Sequence, residues 1–390
     1  MQKRVLAGVV LLAVLLALIF AFYPGNSQEI NLSTGAGISK MLRYENAQVY
    51  LFGETHRCTE YQQFRNALFQ YLVKEKGVRV LVEESGYATA FLENETVQGR
   101  LSFSDWLDRC TLSKEDYELY SWIADWNSGR DAAEKISIIG IDITDDVGNI
   151  QTLCQYLLKN HDFSSADTQT QWLLTAIREQ NPFSSLQLQT FQEKFLPQLA
   201  ELYQTKPKQL ETVLGTQTVY LERALLGWEE AQEQQRLKGE TEQLGGPDGS
   251  YRENCLYEHF MWEYQQRPDA KYYGQFGGAH VLMSDYSGKL YRVQNSFVSR
   301  LAETDTPLNG KLTVIDGCLT FEIGDLGKSD VNKATLYRTT RAGPPIHKMN
   351  KFYMNSSAPD VSYAQYVLLF EHPDALTAAK EYTGSYWKYH

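Results

Sequence analysis

Residues 51–65 read LFGETHRCTEYQQFR. The apolar run stops at Gly53, and Glu54 and His56 follow at once. From Thr59 to Lys76, Tyr61, Phe64, Leu68, Tyr71 and Leu72 fall on one stripe at helical spacing. The stretch therefore reads as a buried strand, a polar turn and an amphipathic helix. The same grammar recurs. Apolar strands are predicted at 48–52, 78–83, 136–143 and 271–276, with helical patterns between them. Alternating strands and helices imply α/β architecture, a central and mostly parallel sheet flanked by helices.

Each of these strands ends on polar residues: Glu54 and His56, then Glu83 and Glu84, then Asp142, then His280. Open parallel sheets bind ligands outside the carboxyl ends of their strands, so residues far apart in the chain can converge there. Arg65 falls on the buried stripe with Tyr61, Leu68 and Leu72. A buried guanidinium needs a carboxylate, and Glu54 and Glu84 are the candidates. His56 precedes a helix N-terminus, where the dipole favours the neutral imidazole, a form that can take a proton from water. Glu54, two residues away, can fix its tautomer. His280 follows two glycines, which permit close backbone approach. Arg252 and Glu253 open the preceding helix. Asp142 at a strand end reads either as a site carboxylate or as a helix cap.

The rest of the chain sets the frame. It has 390 residues, 43% hydrophobic, ample for a large core. The net charge is -11 and no long basic stripe occurs, which argues against a nucleic-acid partner. Lys3 and Arg4 precede an uncharged, mostly apolar run over residues 5–22, ended by Tyr23, Pro24 and Gly25. We read residues 1–25 as a signal anchor rather than a cleaved signal peptide. An anchor holds the protein in the membrane through residues 5–22 with the remainder extracytoplasmic, and cleavage would give a secreted form. Residues 26–45 are polar and small and read as a linker that includes the Gly35–Gly37 GAG. Residues 46–390 then form one α/β domain. Residues 102–130 read as helical. Between about 150 and 240 strands vanish and Leu, Gln and Glu take helical spacing, which predicts an inserted helical bundle. Further strands are expected at 312–316 and 366–372. The five cysteines match no zinc spacing and no CxxC pair. No GxSxG, HExxH or Walker A motif is present.

Taken in order, these pieces resemble the erythromycin esterase family. LFGETHRCTEYQQFR resembles its opening motif, with Arg65 nine residues past His56, and LVEES carries Glu84 where the family places its next glutamate. IIGIDI, YRENCLYEHFMWEYQ, YYGQFGGAHVLM and YAQYVLLFEHPDALTAA resemble its later strands and its Arg-led helix. The similarity spreads over most of residues 45–380. The resemblance implies an α/β sheet with an inserted helical bundle and an active site in the cleft between them. It implies a histidine, here His56, as general base of a metal-free ester hydrolysis. Glu54, Arg65 and Glu84 become its supports, with His280 and the substrate-binding residues Arg252 and Asp142 across the cleft. The expected activity is hydrolysis of an ester or related acyl bond in a small-molecule substrate, with no cofactor. The wider superfamily holds metal-dependent peptidases and haem-binding lipoproteins. It therefore implies two alternatives: a divalent metal held by His56, Glu84 and His280, with Glu54 near, or a non-catalytic haem or ligand binder.

Overall fold

The computed structural model describes residues 27–143, 146–181, 184–238, 247–287, 292–293, 295–317, 333–339, 363–370 and 376–383. The expected anchor over residues 5–22 lies outside them. Among the described residues no helix is long and apolar enough to cross a membrane.

An eight-stranded sheet organises the chain. Its strands are β1 (Ser27–Asn31), β2 (Val49–Glu54), β3 (Val80–Gly86), β4 (Ser137–Asp142), β5 (Tyr272–Gly277), β6 (Leu312–Asp316), β7 (Lys333–Arg338) and β8 (Tyr366–Phe370). Their order is β1-β7-β8-β6-β2-β5-β3-β4. From β8 to β4 all neighbours pair in parallel, and β7 pairs antiparallel with both β1 and β8. The opening stretch thus supplies β2, near the middle of the sheet. Its alternation is plain: Tyr50 and Phe52 enter the core on one face with Phe64, Leu68 and Tyr273. Val49 and Leu51 enter the other with Leu256, Phe260 and Val314. A strand buried on both faces must be apolar at every position, which is why the run reads as continuous.

Helices α1 (Thr59–Tyr71), α2 (Tyr87–Val97) and α3 (Lys114–Asn127) follow β2 and β3. The expected bundle is present as α4 (Val147–Leu158), α5 (Thr168–Arg178), α6 (Leu196–Thr205), α7 (Pro207–Leu214) and α8 (Thr218–Leu237), together with shorter turns. It has its own apolar core, built on Leu153, Leu174, Phe191, Leu196 and Leu225. Helix α9 (Pro247–Gln266) leads back to the sheet, and the single turn α10 (Gly278–Val281) follows β5.

Two expectations change. Residues 26–45, read as a linker, contain β1 and a short helix Ile38–Leu42, with Ile30, Ile38, Met41 and Leu42 buried. Few apolar residues suffice there because β7 supplies the backbone partners. Gly35 and Gly37 turn the chain at φ +67° and +104°. The 102–130 segment is not one helix. Two 3₁₀ turns and a two-residue strand precede α3, and Ser113 caps it by accepting from the Asp116 N–H.

Two backbone features shape the carboxyl edge of the sheet. A β-carbon on Gly53 would lie 2.4 Å from Val281 Cγ2 and 2.9 Å from the Gly278 Cα, so only glycine lets α10 settle over β2. On β3 the register against β4 shifts between Glu83 and Gly86. Such a bulge redirects side chains. Glu83 enters the buried layer, and the neighbouring Glu84 turns to the strand ends.

Candidate functional site

Glu54 ends β2 and is almost fully buried, whereas the His56 side chain two residues later is 57% exposed. His56 Nδ1 lies 3.4 Å from Glu54 Oε1, and its Nε2 lies 3.5 Å from Glu84 Oε2. The ring is thus held between two carboxylates with one side open to solvent. Gly277, at the end of β5, makes this approach possible: a β-carbon there would stand 2.9 Å from His56 Nε2.

Glu84 is the hub. The Gly277 N–H donates to its Oε2 at 2.5 Å, and Arg252 Nη2 donates to its Oε1 at 2.9 Å. His280 Nε2 lies 3.2 Å from the same Oε1. Burial alone would raise the Glu84 carboxyl, but His280, His56 and Arg252 outweigh it and hold the group well below the usual carboxylate range. Behind it, Arg252 grips Asp142 with two donors, Nε at 3.0 Å and Nη2. Arg252 Nη1 meets no carboxylate among the described residues and lies 3.5 Å from His280 Nε2. His280 Nδ1 lies 2.5 Å from Glu253 Oε1, and Glu253 accepts the Phe297 N–H at 2.7 Å through its other oxygen. Burial works against a charged His280, yet Glu253 and Glu84 push it up to about 10. It is an imidazolium at neutral pH.

On the far side of His56, Arg65 is 4% exposed. Its Nη1 lies 3.9 Å from Glu54 Oε2, and its Nη2 bonds Asp116. The expected partner Glu84 does not reach it. Asp116 does, held in turn by the Ser113 hydroxyl at 2.7 Å. The turn carrying His56 is fastened from the chain's last described segment. Ala379 N–H donates to the Arg57 carbonyl at 2.7 Å, Thr59 N–H to the Thr377 carbonyl at 2.9 Å, and Thr377 N–H to Glu60 at 2.9 Å. Arg57 adopts φ +62°, a left-handed conformation that this fastening supports.

The structure therefore brings Glu54, His56, Arg65, Glu84, Arg252 and His280 into one connected cluster at the carboxyl edge. Asp142, expected to touch substrate, has no exposed side-chain surface and acts instead on Arg252. The downward pull on the His56 pKa expected from the helix start does not prevail. The Glu54 contact, aided by the Glu84 charge, raises its pKa above the ordinary 6.5 despite burial. Two carboxylates within 3.5 Å outweigh the dipole of a helix start. Sequence reasoning missed Asp116 and the His280–Glu253 pairing. It also missed a buried cluster beneath the site, where the Tyr120 hydroxyl lies 3.1 Å from Glu83 and 3.0 Å from Glu93. Burial and then the Glu83 charge push Glu93 well above the usual carboxylate range. His259 is buried between the Ile141 carbonyl at 3.0 Å and Glu230 at 2.9 Å.

The metal set expected from the alternative reading does not fit. Glu84 is already engaged by a guanidinium, an imidazolium and a backbone N–H, and both His280 nitrogens face carboxylates. A dication there would have to displace or sit against the Arg252 guanidinium, which is already paired with Glu84 and Asp142. Among the described residues no group of three or more His, Cys, Asp or Glu is arranged for a metal ion.

The pH dependence of stability follows with opposite signs from two groups. His280 has a folded pKa raised to about 10, so its contribution is complete below about 6.5 and is lost as pH rises toward 10. Glu84 is depressed, so its contribution is present above about 4.5 and is lost on acidification. Melting temperature is expected to peak between those values. The His280→Gln variant should flatten the alkaline limb, and an unchanged limb would remove His280 as its cause.

No family model matches this chain, and no curated protein matches it in sequence. Solved structures do resemble it over nearly its whole length. An erythromycin esterase in its open conformation is 14% identical with a TM-score of 0.56, the match covering 91% of this chain and 98% of that one. A succinoglycan biosynthesis protein is 16% identical with a TM-score of 0.57, covering 91% and 97%. A Bacillus cereus protein is 16% identical with a TM-score of 0.55, also covering 91% and 97%. At such identities the likeness speaks for architecture alone: this chain has the fold that an erythromycin esterase shares.

Proposed function

We propose that the protein is a hydrolase of ester or related acyl bonds that uses His56 as general base, without a metal. The observation that carries this reading is the His56 ring: solvent-open, yet held between Glu54 and Glu84, which are themselves fixed by Arg65 and Arg252. In the neutral form the ring keeps its proton on Nδ1, facing Glu54, and Nε2 accepts a proton from water. The water oxygen then attacks the acyl carbon. Glu54 holds the Nδ1 proton, the role that a fixed carboxylate plays beside a catalytic histidine, and Glu84, anionic on the other side, stabilises the imidazolium as it forms. Arg252 Nη1 is the donor available to the developing oxyanion. His280 is spent on Glu84 and Glu253, so it positions rather than donates. The proton on His56 finally passes to the leaving alkoxide. An erythromycin esterase carries its activity on this same fold, and the extracytoplasmic location read from residues 5–22 remains part of the proposal.

The test is turnover on a panel of acyl esters and lactones followed across pH. Activity should rise through a midpoint above 6.5, where His56 loses its proton. It should fall near 10, where His280 does. A panel without turnover by the folded protein would leave a ligand-binding role, and a rate independent of pH between 6 and 8 would remove His56 as the base.

A further inference from the structure

The opposite end of the sheet carries a second, differently built site. A cleft of about 890 Å³ opens at the amino ends of β3, β4 and β5, lined by residues that include Val80, Ser137 and Ala270. Its volume falls within the range of small-ligand pockets. Six cations line it, Lys76, Arg79, Arg100, Lys135, Arg267 and Lys271, against one carboxylate, Asp269. In a chain of net charge -11 that concentration is unusual.

The three arginines are matched. Arg79 lies 3.5 Å from Glu134, Arg100 pairs with Glu95, and Arg267 lies 2.9 Å from Glu263. The three lysines have no ion-pair partner among the described residues. Lys76 Nζ donates to the carbonyls of Arg43 at 2.8 Å and Glu45 at 2.7 Å. Lys271 Nζ donates to Asn46 Oδ1 at 2.9 Å, and Lys135 makes no described hydrogen bond or ion pair. The Glu45 carboxylate is turned to Arg338 and Tyr366. All three lysines are half-buried, so solvent compensates them only in part. Burial and then the neighbouring Lys271 charge hold the Lys76 ammonium below its ordinary value. Keeping such a group together costs stability, and an anion set among the three would recover it.

We propose that this cleft binds a phosphate-bearing anion, with Lys76, Lys135 and Lys271 as its charge partners. Lysine serves phosphate as a mobile point charge, and three of them suit a group carrying two or more negative charges. The site is separate from the His56 cluster and does not depend on the hydrolase reading, since the two lie at opposite ends of the same strands.

The experiment reads the melting temperature of the full-length chain in neutral-detergent micelles. Pyrophosphate is added in one arm, phosphatidylglycerol is doped into the micelles in another, and sodium chloride at matched ionic strength is the control. At about a hundred times its dissociation constant, pyrophosphate should raise the melting temperature by about 3 °C over the salt control. The K76Q/K135Q/K271Q variant should lose that rise. A rise with phosphatidylglycerol alone, also lost in the variant, supports the same chemistry and assigns its source to a lipid headgroup. Should the triple variant not fold, the single change Lys135→Gln, at a side chain with no described hydrogen bond or ion pair, should weaken pyrophosphate binding about tenfold. No rise with either phosphate compound, or an equal rise in wild type and variants, overturns the proposal.

Discussion

The His56→Ala variant is expected to lose two to four orders of magnitude, roughly 10²- to 10⁴-fold, in kcat/KM on any ester the protein hydrolyses. Its stability should change little, because more than half of the side chain faces solvent and it is not part of the core. The variant therefore separates chemistry from folding. His56→Gln is the sharper control: it keeps a polar side chain near Glu54 and Glu84 but offers no basic nitrogen. If both variants retain near-native rates while Arg252→Lys does not, the base lies elsewhere in the cluster. Added divalent metal should rescue neither variant, since both His280 nitrogens and Glu84 are committed to other partners.

Arg252→Ala should act in the opposite manner, through stability first. Arg252 is the counter-ion of two carboxylates, Glu84 and Asp142, and Asp142 has no exposed side-chain surface. Removing one partner of a buried ion pair leaves an uncompensated charge, which costs about 3–5 kcal/mol. Urea unfolding should show that loss as a lower midpoint with an unchanged slope. Arg252→Lys should recover only part of it, because an ammonium cannot reproduce the two-pronged contact to Asp142. The double variant Arg252→Met with Asp142→Asn should be more stable than Arg252→Ala, since it also removes the stranded charge. A loss under 1 kcal/mol for Arg252→Ala would show that water, not Arg252, compensates Asp142. Activity should fall in each of these variants, because Arg252 Nη1 is the proposed oxyanion donor and Arg252 also helps hold Glu84 in its anionic place.

Much of this arrangement was legible from residues 51–65 and their echoes. Short continuous apolar runs bounded by polar turns read as strands buried on both faces, and such strands alternating with amphipathic helices imply a parallel sheet. The placement of Glu54, Glu84, Asp142 and His280 at the strand ends then follows, as does their convergence at one edge. Arg65 on an apolar stripe announced a buried charge that needed an acid. The helical bundle was visible as a change of period. The segment at 26–45 was not legible as sheet, because an edge strand takes its order from the backbone of its neighbour more than from its own side chains.

What the amino-acid order determined by itself was therefore the layering of this protein and the edge at which its polar residues gather. The pairing of those residues was decided only in three dimensions. Asp116 on Arg65, Glu253 on His280 and Asp142 beneath Arg252 join elements whose side-chain distances depend on register, on the bulge between Glu83 and Gly86, and on the glycines at 53 and 277. Periodicity tells which face a residue occupies, but not which residue of another element stands opposite. The charge of His56 belongs to the same class: it is set by the sum of fields around the ring, and two carboxylates at contact distance outweigh the helix start that the sequence alone displays.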